Sequence, residues 1–253
     1  METGAYLDRI GFTEPVKPDA RTLRGLQTAH MRNVPFENLD IELKRPIRLD
    51  EGSLWKKIVV EKRGGFCYEL NGLFAWLLKQ IGFHVTYLNA RVFDRDGNLG
   101  IEFDHLALLA QVPGESERWL ADVGFGDSFI EPLVFDERGE QAQAPRAYRL
   151  EEIQNGYIVW QRDYDGSWER QYFFDLVPRR FPGDYEAGCT YHQTSPKSSF
   201  TRGSIISRAT EEGRVSLEDG RLIVTSRGQR SERPVASAGE YRALLKEYFG
   251  VMP

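Results

Sequence analysis

The segment Arg63–Leu77, RGGFCYELNGLFAWL, decides how the chain is read. Two glycines and a phenylalanine deliver the backbone to Cys67, one of only two cysteines in 253 residues. Beyond it Leu70, Leu73, Phe74, Leu77, Leu78 and Ile81 recur at helical spacing, and Gly82 supplies a C-terminal stop. The spacing predicts a helix that begins near Cys67. A helix N-terminus presents unpaired N–H groups and a partial positive charge, which favour a thiolate and an adjacent oxyanion. The plainer alternative is a buried, inert cysteine.

On the N-terminal side the pattern stays helical. Asp19 reads as an N-cap, with Leu23, Leu26, Ala29 and His30 along one stripe and Pro35 closing the helix. A second short helix is expected in LDEGSLWKKIVVEKRGG, capped by Asp50 or Ser53 and ending at Gly64. On the C-terminal side the period changes to two. HVTYLNARVF alternates, and HLALLAQV and RWLADVGF flank PGESER as a hairpin. AYRLEEI, GYIVWQR and RQYFFDLV continue an antiparallel sheet or barrel. The last third offers SIISRAT, RVSLEDGRLIVTSRG and a terminal helix, AGEYRALLKEYFG. The fold class is therefore α+β. The expected division is a helical bundle over 1–84 carrying Cys67, a β-barrel over 85–194 and an α/β segment over 195–253.

Composition narrows the function. Apolar residues at 41% and charged residues at 28% suit a globular protein, and no apolar run nears the ~20 residues of a membrane span. The N-terminus METGAYLDRIGF lacks a signal-peptide pattern, and two cysteines cannot build a disulfide framework, so a cytoplasmic protein is expected. A net charge of −5 argues against nucleic acid as a partner, while leaving room for a local basic pocket.

A thiolate needs a base, and there are four histidines. His30, His84 and His192 read as structural or surface residues, the last in a polar loop. His105 shares a strand face with Ala107 and Leu109, where a polar ring requires a partner. Asp122, set between Ala121 and Val123, is a carboxylate with the same requirement. A hairpin folding near Pro113–Gly114 places residues whose numbers sum to about 227 opposite each other, and so His105 beside Asp122. Asp104, on the opposite face from His105, and Asp127 are the rival carboxylates. Cys, His and Asp in this order suit nucleophilic acyl chemistry. No C-x-x-C or H-x-x-x-H spacing supports a metal. Cys189, in EAGCTYH, has none of the features of Cys67.

Together, RGGFCYELN (63–71), His105 in DHLALL, DVGFGD (122–127) and VPFENLDI (34–41) resemble the arylamine N-acetyltransferases, strongly to about residue 135 and loosely beyond. The resemblance implies a helical bundle, β-barrel and C-terminal α/β lid around a papain-like core. It implies ping-pong transfer from acetyl-CoA, with CoA released, to a small arylamine, hydrazine or arylhydroxylamine. Carried over by position, Cys67 is the nucleophile, His105 the base and Asp122 the orienting acid. Phe36 and Phe125 line the acceptor pocket, to which Asp104 is also assigned, and Glu37 and Arg63 form a structural ion pair. TSPKSSF (194–200) is similar to a family run, which suggests Thr194, Ser195, Ser198 and Phe200 as CoA contacts, with Lys197, Arg202 and Arg208 near the phosphates. Two other readings share the triad: an amide-forming biosynthetic relative, such as one closing a macrolactam, and a papain- or transglutaminase-like thiol hydrolase.

Overall fold

A computed structural model describes residues 1–252. The chain opens with α1 (Thr3–Ile10) and α2 (Ala20–Asn33). The Asp19 carboxylate accepts the Thr22 N–H and so satisfies one of the free donors at the start of α2. A two-residue strand β1 (Phe36–Glu37), a short α3 (Leu39–Glu42) and α4 (Glu51–Trp55) follow. Asp50, not Ser53, caps α4. The helix expected to run on to Gly64 instead widens into a π-helical turn over Lys56–Val60, closed by Glu61 N–H donating to the Lys56 carbonyl at 2.9 Å. Gly64 lies in the loop beyond, where its role is spatial. A Cβ there would stand 2.0 Å from the Pro35 carbonyl oxygen.

α5 (Cys67–Ile81) begins at the predicted cysteine and ends on Gly82 with φ +110°, a left-handed geometry that glycine adopts without strain. Every residue from Cys67 to Leu78 is buried, so the helix is surrounded rather than resting on a surface. Leu70, Leu73, Phe74 and Leu77 each contribute ~1.5–3 kcal/mol of burial. That packing holds Cys67 still.

The alternating segments form one antiparallel sheet of eight strands: β2 (His84–Val92), β3 (His105–Gln111), β4 (Arg118–Ala121), β5 (Leu133–Val134), β6 (Gln141–Gln143), β7 (Arg146–Ile153), β8 (Gly156–Arg162) and β9 (Trp168–Phe174). Their order is β5-β4-β3-β2-β9-β8-β7-β6. The sheet curls into a nearly closed barrel. The Gln141 side chain joins the two edge strands, accepting from Val134 N–H and donating to its carbonyl. Leu106, Leu108 and Ala110 of β3 join the core built around α5, while Ala107 and Leu109 turn into the barrel with Leu88, Tyr172 and Phe174. Alternation thus lets one strand serve two cores.

After α6 (Glu186–Thr194) a five-stranded sheet runs β1-β10-β11-β12-β13, with β10 (Ile205–Ala209), β11 (Gly213–Glu218), β12 (Arg221–Ser226) and β13 (Gln229–Pro234), and α7 (Ala238–Leu244) closes the chain. Its edge strand β1 comes from the N-terminal third: Phe36 pairs with Ser207 and Glu37 with Ile206. The last segment is therefore stitched to β1, where Phe36 also bridges to Gly65 in the loop that precedes Cys67. No helix among the described residues is long and apolar enough to cross a membrane.

Candidate active site

The approach to Cys67 is fixed by buried charge. Arg63 donates to Glu37 through Nε at 2.8 Å and Nη2 at 3.0 Å, and to Asp40 at 3.0 Å. Lys57 bridges Asp40 and Glu69, each at 2.8 Å. Glu69 then accepts the Phe66 N–H at 3.1 Å, one residue before Cys67. Burial drives Glu69 toward its protonated form, and Lys57 opposes this. Truncating one member of such a network strands a buried charge, which is why the set holds the loop rigidly. The Glu37–Arg63 pair expected from the sequence is thus part of a five-residue network.

His105 and Asp122 meet as anticipated. His105 Nε2 lies 2.7 Å from Asp122 Oδ2, both side chains buried. The hairpin register differs by two residues from the expected alignment, because Leu108 pairs with Ala121 and Leu109 with Leu120. Asp122 therefore sits just past the end of β4, and its side chain reaches back to His105. Its other oxygen accepts from Asn71 Nδ2 at 2.8 Å and Gly124 N–H at 2.9 Å. Asn71 also donates to the Leu106 carbonyl and accepts from Val123 N–H, and Gln27 accepts the Asp122 N–H. Asn71 ties α5, the start of β3 and the loop after β4 together. Gly124 allows the loop to lie against α5, since a Cβ there would stand 2.7 Å from Cys67 Cα.

Asp127, a rival carboxylate, does not pair with His105. It pairs with Arg146 at 2.6 Å and Arg214 at 2.9 Å, away from His105. Strand alternation would put Asp104 on the face opposite His105, but both line the same cavity. Phe103 has φ +58°, so alternation starts only at His105 and does not reach back to Asp104.

The cavity holds about 200 Å³ and is lined by Cys67, His105, Asp104 and His192 with Phe36, Phe125 and Phe200 among its apolar walls. It adjoins a cleft of about 430 Å³ through the shared Phe36, Phe125, Ser199 and Phe200, with Asn38, Arg202 and Ser204 further out. Of the four residues suggested for CoA, only Phe200 borders these spaces. The Thr194 hydroxyl is bound to the Thr190 carbonyl, Ser195 accepts from Lys197 N–H, and buried Ser198 meets His192 at 3.0 Å. Arg202 lines the cleft. Arg208 lies instead on β10, near Arg9, whose guanidinium pKa is lowered to about 10 chiefly by burial and further by Arg208. His192, read from sequence as a loop residue, is on α6 and buried.

Burial pushes the Cys67 thiol up, the Leu106 N–H lowers it, and the charges of Asp104 and Asp122 raise it further. Cys189 is also buried and raised, to about 12. Cys67 differs in position. It is the first residue of a 15-residue helix, with a histidine–aspartate pair on the same cavity.

A family model described as N-acetyltransferase matches residues 19–252. The arylamine N-acetyltransferase of Mycolicibacterium smegmatis is 34% identical over 99% of this chain and 92% of its own. The Proansamycin X synthase of Amycolatopsis mediterranei is 30% identical over 97% of this chain and 95% of its own. A solved structure of the Mycobacterium marinum arylamine N-acetyltransferase in complex with CoA superposes with a TM-score of 0.92, at 29% identity, covering 99% of this chain and 93% of that one. The chain belongs to the arylamine N-acetyltransferase family, a family of acyltransferases.

Proposed function

We propose that this enzyme moves an acetyl group from acetyl-CoA to an arylamine, hydrazine or arylhydroxylamine in two half-reactions through an acetyl-cysteine. The observation that carries the reading is the 2.7 Å His105–Asp122 pair sharing a cavity with a cysteine at a helix N-terminus. Similarity to a relative crystallised with CoA supports the donor. His105 takes the Cys67 proton as the sulfur attacks the thioester carbonyl. The tetrahedral oxyanion lies near the free N–H groups of the first turn of α5. The intermediate collapses, the C–S bond to CoA breaks, and His105 returns the proton to the departing thiolate. In the second half the amine attacks the acetyl-cysteine carbonyl, gives its proton to His105, and releases Cys67. Asp122 stabilises the imidazolium and keeps the Nε2 proton in place. Asn71 and Gln27 position these groups, and Gly124 does so while also bordering the cavity.

Phe36 and Phe125 form the apolar acceptor walls in this reading. The donor lies along the cleft past Phe200 and Arg202, which displaces Thr194, Ser195 and Ser198 from direct contact. The same reading keeps the division at residues 84 and 194, with the last segment covering the cleft. A cytoplasmic setting is supported by the two free cysteines.

The test is incubation with acetyl-CoA followed by intact mass and peptide mapping. One acetyl group on the Cys67 peptide, removed on adding 4-methylaniline, is the expected result. No acetylation, with no CoA released, would sink the reading. Similarity to a relative named as a synthase favours a second reading, amide formation in a biosynthetic pathway. Under it Cys67 would be acylated by a larger thioester and acetyl-CoA would be a poor donor.

A further inference from the structure

A second histidine and carboxylate face the same cavity, and the reaction above uses neither. His192 Nε2 stands 3.1 Å from Asp104 Oδ1. Both side chains are largely buried, at 7% and 14% exposure, on the wall of the Cys67 cavity. The surroundings fix what each atom offers. Ser198 Oγ accepts the Phe200 N–H at 3.2 Å and lies 3.0 Å from His192 Nδ1. With its hydroxyl proton directed to Nδ1, His192 carries its own proton on Nε2. That N–H does not point in line at Asp104, and no other acceptor among the described residues takes it. Asp104 receives only the Val92 N–H, at 3.2 Å on Oδ2, so it retains free lone pairs. Gly100 makes the room it occupies, since a Cβ there would meet Asp104 Oδ2 at 2.2 Å.

A buried donor without an acceptor, next to an acceptor with spare capacity, is costly unless a ligand completes both. Resting on the transferase reading above, we propose that His192 and Asp104 form a specificity site for acceptor amines bearing a group that both accepts and donates a hydrogen bond, such as a carboxamide, hydrazide or hydroxyl. The His192 Nε2–H donates to the oxygen of that group, and Asp104 accepts its N–H or O–H. The aromatic walls hold the ring between this site and the acetylated sulfur. Ser198 is a positioning residue that sets the His192 tautomer.

The same donor–acceptor chemistry occurs in the amides of the CoA arm, and ping-pong kinetics separate the two sources. In such a scheme kcat/KM for each substrate reports only its own half-reaction. The experiment compares 4-aminobenzamide with its apolar isostere 4-isopropylaniline in the full-length wild type, His192→Leu and His192→Gln, and also measures kcat/KM for acetyl-CoA. In His192→Leu the benzamide-to-isopropyl ratio of kcat/KM should fall about tenfold from wild type, the worth of one buried hydrogen bond. Gln, which can present an N–H near the Nε2 position, should recover most of the ratio. An unchanged ratio in His192→Leu overturns the proposal. So does a fall confined to acetyl-CoA, which would assign the site to the donor. Should His192→Leu fail to fold, Asp104→Asn takes its place: the ratio should fall there too, and an unchanged ratio overturns the proposal. In each of these outcomes continued acetylation of 4-isopropylaniline leaves the transferase reading standing, whereas loss of acetyl-enzyme in the wild type would remove that reading itself.

Discussion

Replacing Asp122 by asparagine changes one atom and reverses a hydrogen-bond pattern. Asp122 Oδ1 accepts from two fixed donors, Asn71 Nδ2 and Gly124 N–H, and Oδ2 accepts from His105 Nε2. An asparagine must turn its oxygen toward the two donors, because its amide nitrogen would meet both of them head on. The NH2 group then faces His105, which can no longer hold its proton on Nε2. The proton moves to Nδ1, the nitrogen needed to receive the Cys67 proton. The wrong tautomer and the loss of charge behind the imidazolium should together cost ~10⁴ in kcat, the size seen for the equivalent change in a serine protease, or about 5 kcal/mol of barrier. A hydrogen-bonded buried acceptor is also weakened, so stability should fall by ~1–3 kcal/mol. CoA release during turnover of 4-methylaniline measures the first effect and urea unfolding the second. Asp127→Asn is the control, since Asp127 bonds to Arg146 and Arg214 instead. Near-normal turnover in Asp122→Asn, with failure in Asp127→Asn, would refute the assignment.

Further outcomes follow from the same geometry. Cys67→Ala should abolish acetyl transfer with the fold retained by circular dichroism, while Cys189→Ser should remain active. Gly124→Ala should reduce kcat ~10²-fold, because its Cβ meets Cys67 Cα at 2.7 Å and must displace the sulfur from the base. His30 lies fully buried beside Phe74, and burial, aided by Arg9, lowers its pKa to about 3. Since the unfolded chain binds this proton and the folded chain does not, the contribution is complete above pH ~6.5 and shrinks on acidification, by about 2 kcal/mol at pH 5; urea titrations should show His30→Phe flattening that slope. Iodoacetamide should label Cys67 before Cys189, acetyl-CoA should protect Cys67, and His105→Gln should move its alkylation midpoint upward in peptide-mapped pH curves.

The sequence disclosed most where a residue's requirement was local. Asp19 and Gly82 satisfy backbone groups within a turn of themselves, and both sit where their chemistry puts them. His105 and Asp122 are legible because each is a polar residue in an apolar run of sequence that needs a partner, and the hairpin leaves few candidates. Residues acting across long separations are not legible. Asn71 reads as an ordinary polar position on an apolar helix, and Gln27 lies 95 residues from the backbone group it accepts. α1 does not stand out in METGAYLDRIGF, a segment with few apolar positions, although Tyr6 and Ile10 lie one turn apart and are both buried. His192 reads as a loop residue because EAGCTYHQT has little apolar periodicity. Its helix is held instead by close approach to other elements, as where Gly188 passes the Phe103 carbonyl.

In the proposed mechanism the charges around Cys67 explain why Cys67, His105 and Asp122 must act as a unit. The helix N-terminus and the Leu106 N–H favour a thiolate, but burial and the carboxylates Asp104 and Asp122 oppose it. Burial and the two carboxylates therefore push the thiol upward on their own. Only a positive charge created on His105 by the same proton transfer can offset the burial, and that charge is stable only because Asp122 lies 2.7 Å behind it. Asp122 thus opposes a lone thiolate and supports a thiolate–imidazolium pair. Removing His105 leaves a sulfur surrounded by negative charge, less reactive than an ordinary cysteine. Any electrophile that reaches this sulfur, iodoacetamide or a thioester, therefore meets a nucleophile whose reactivity is set by His105.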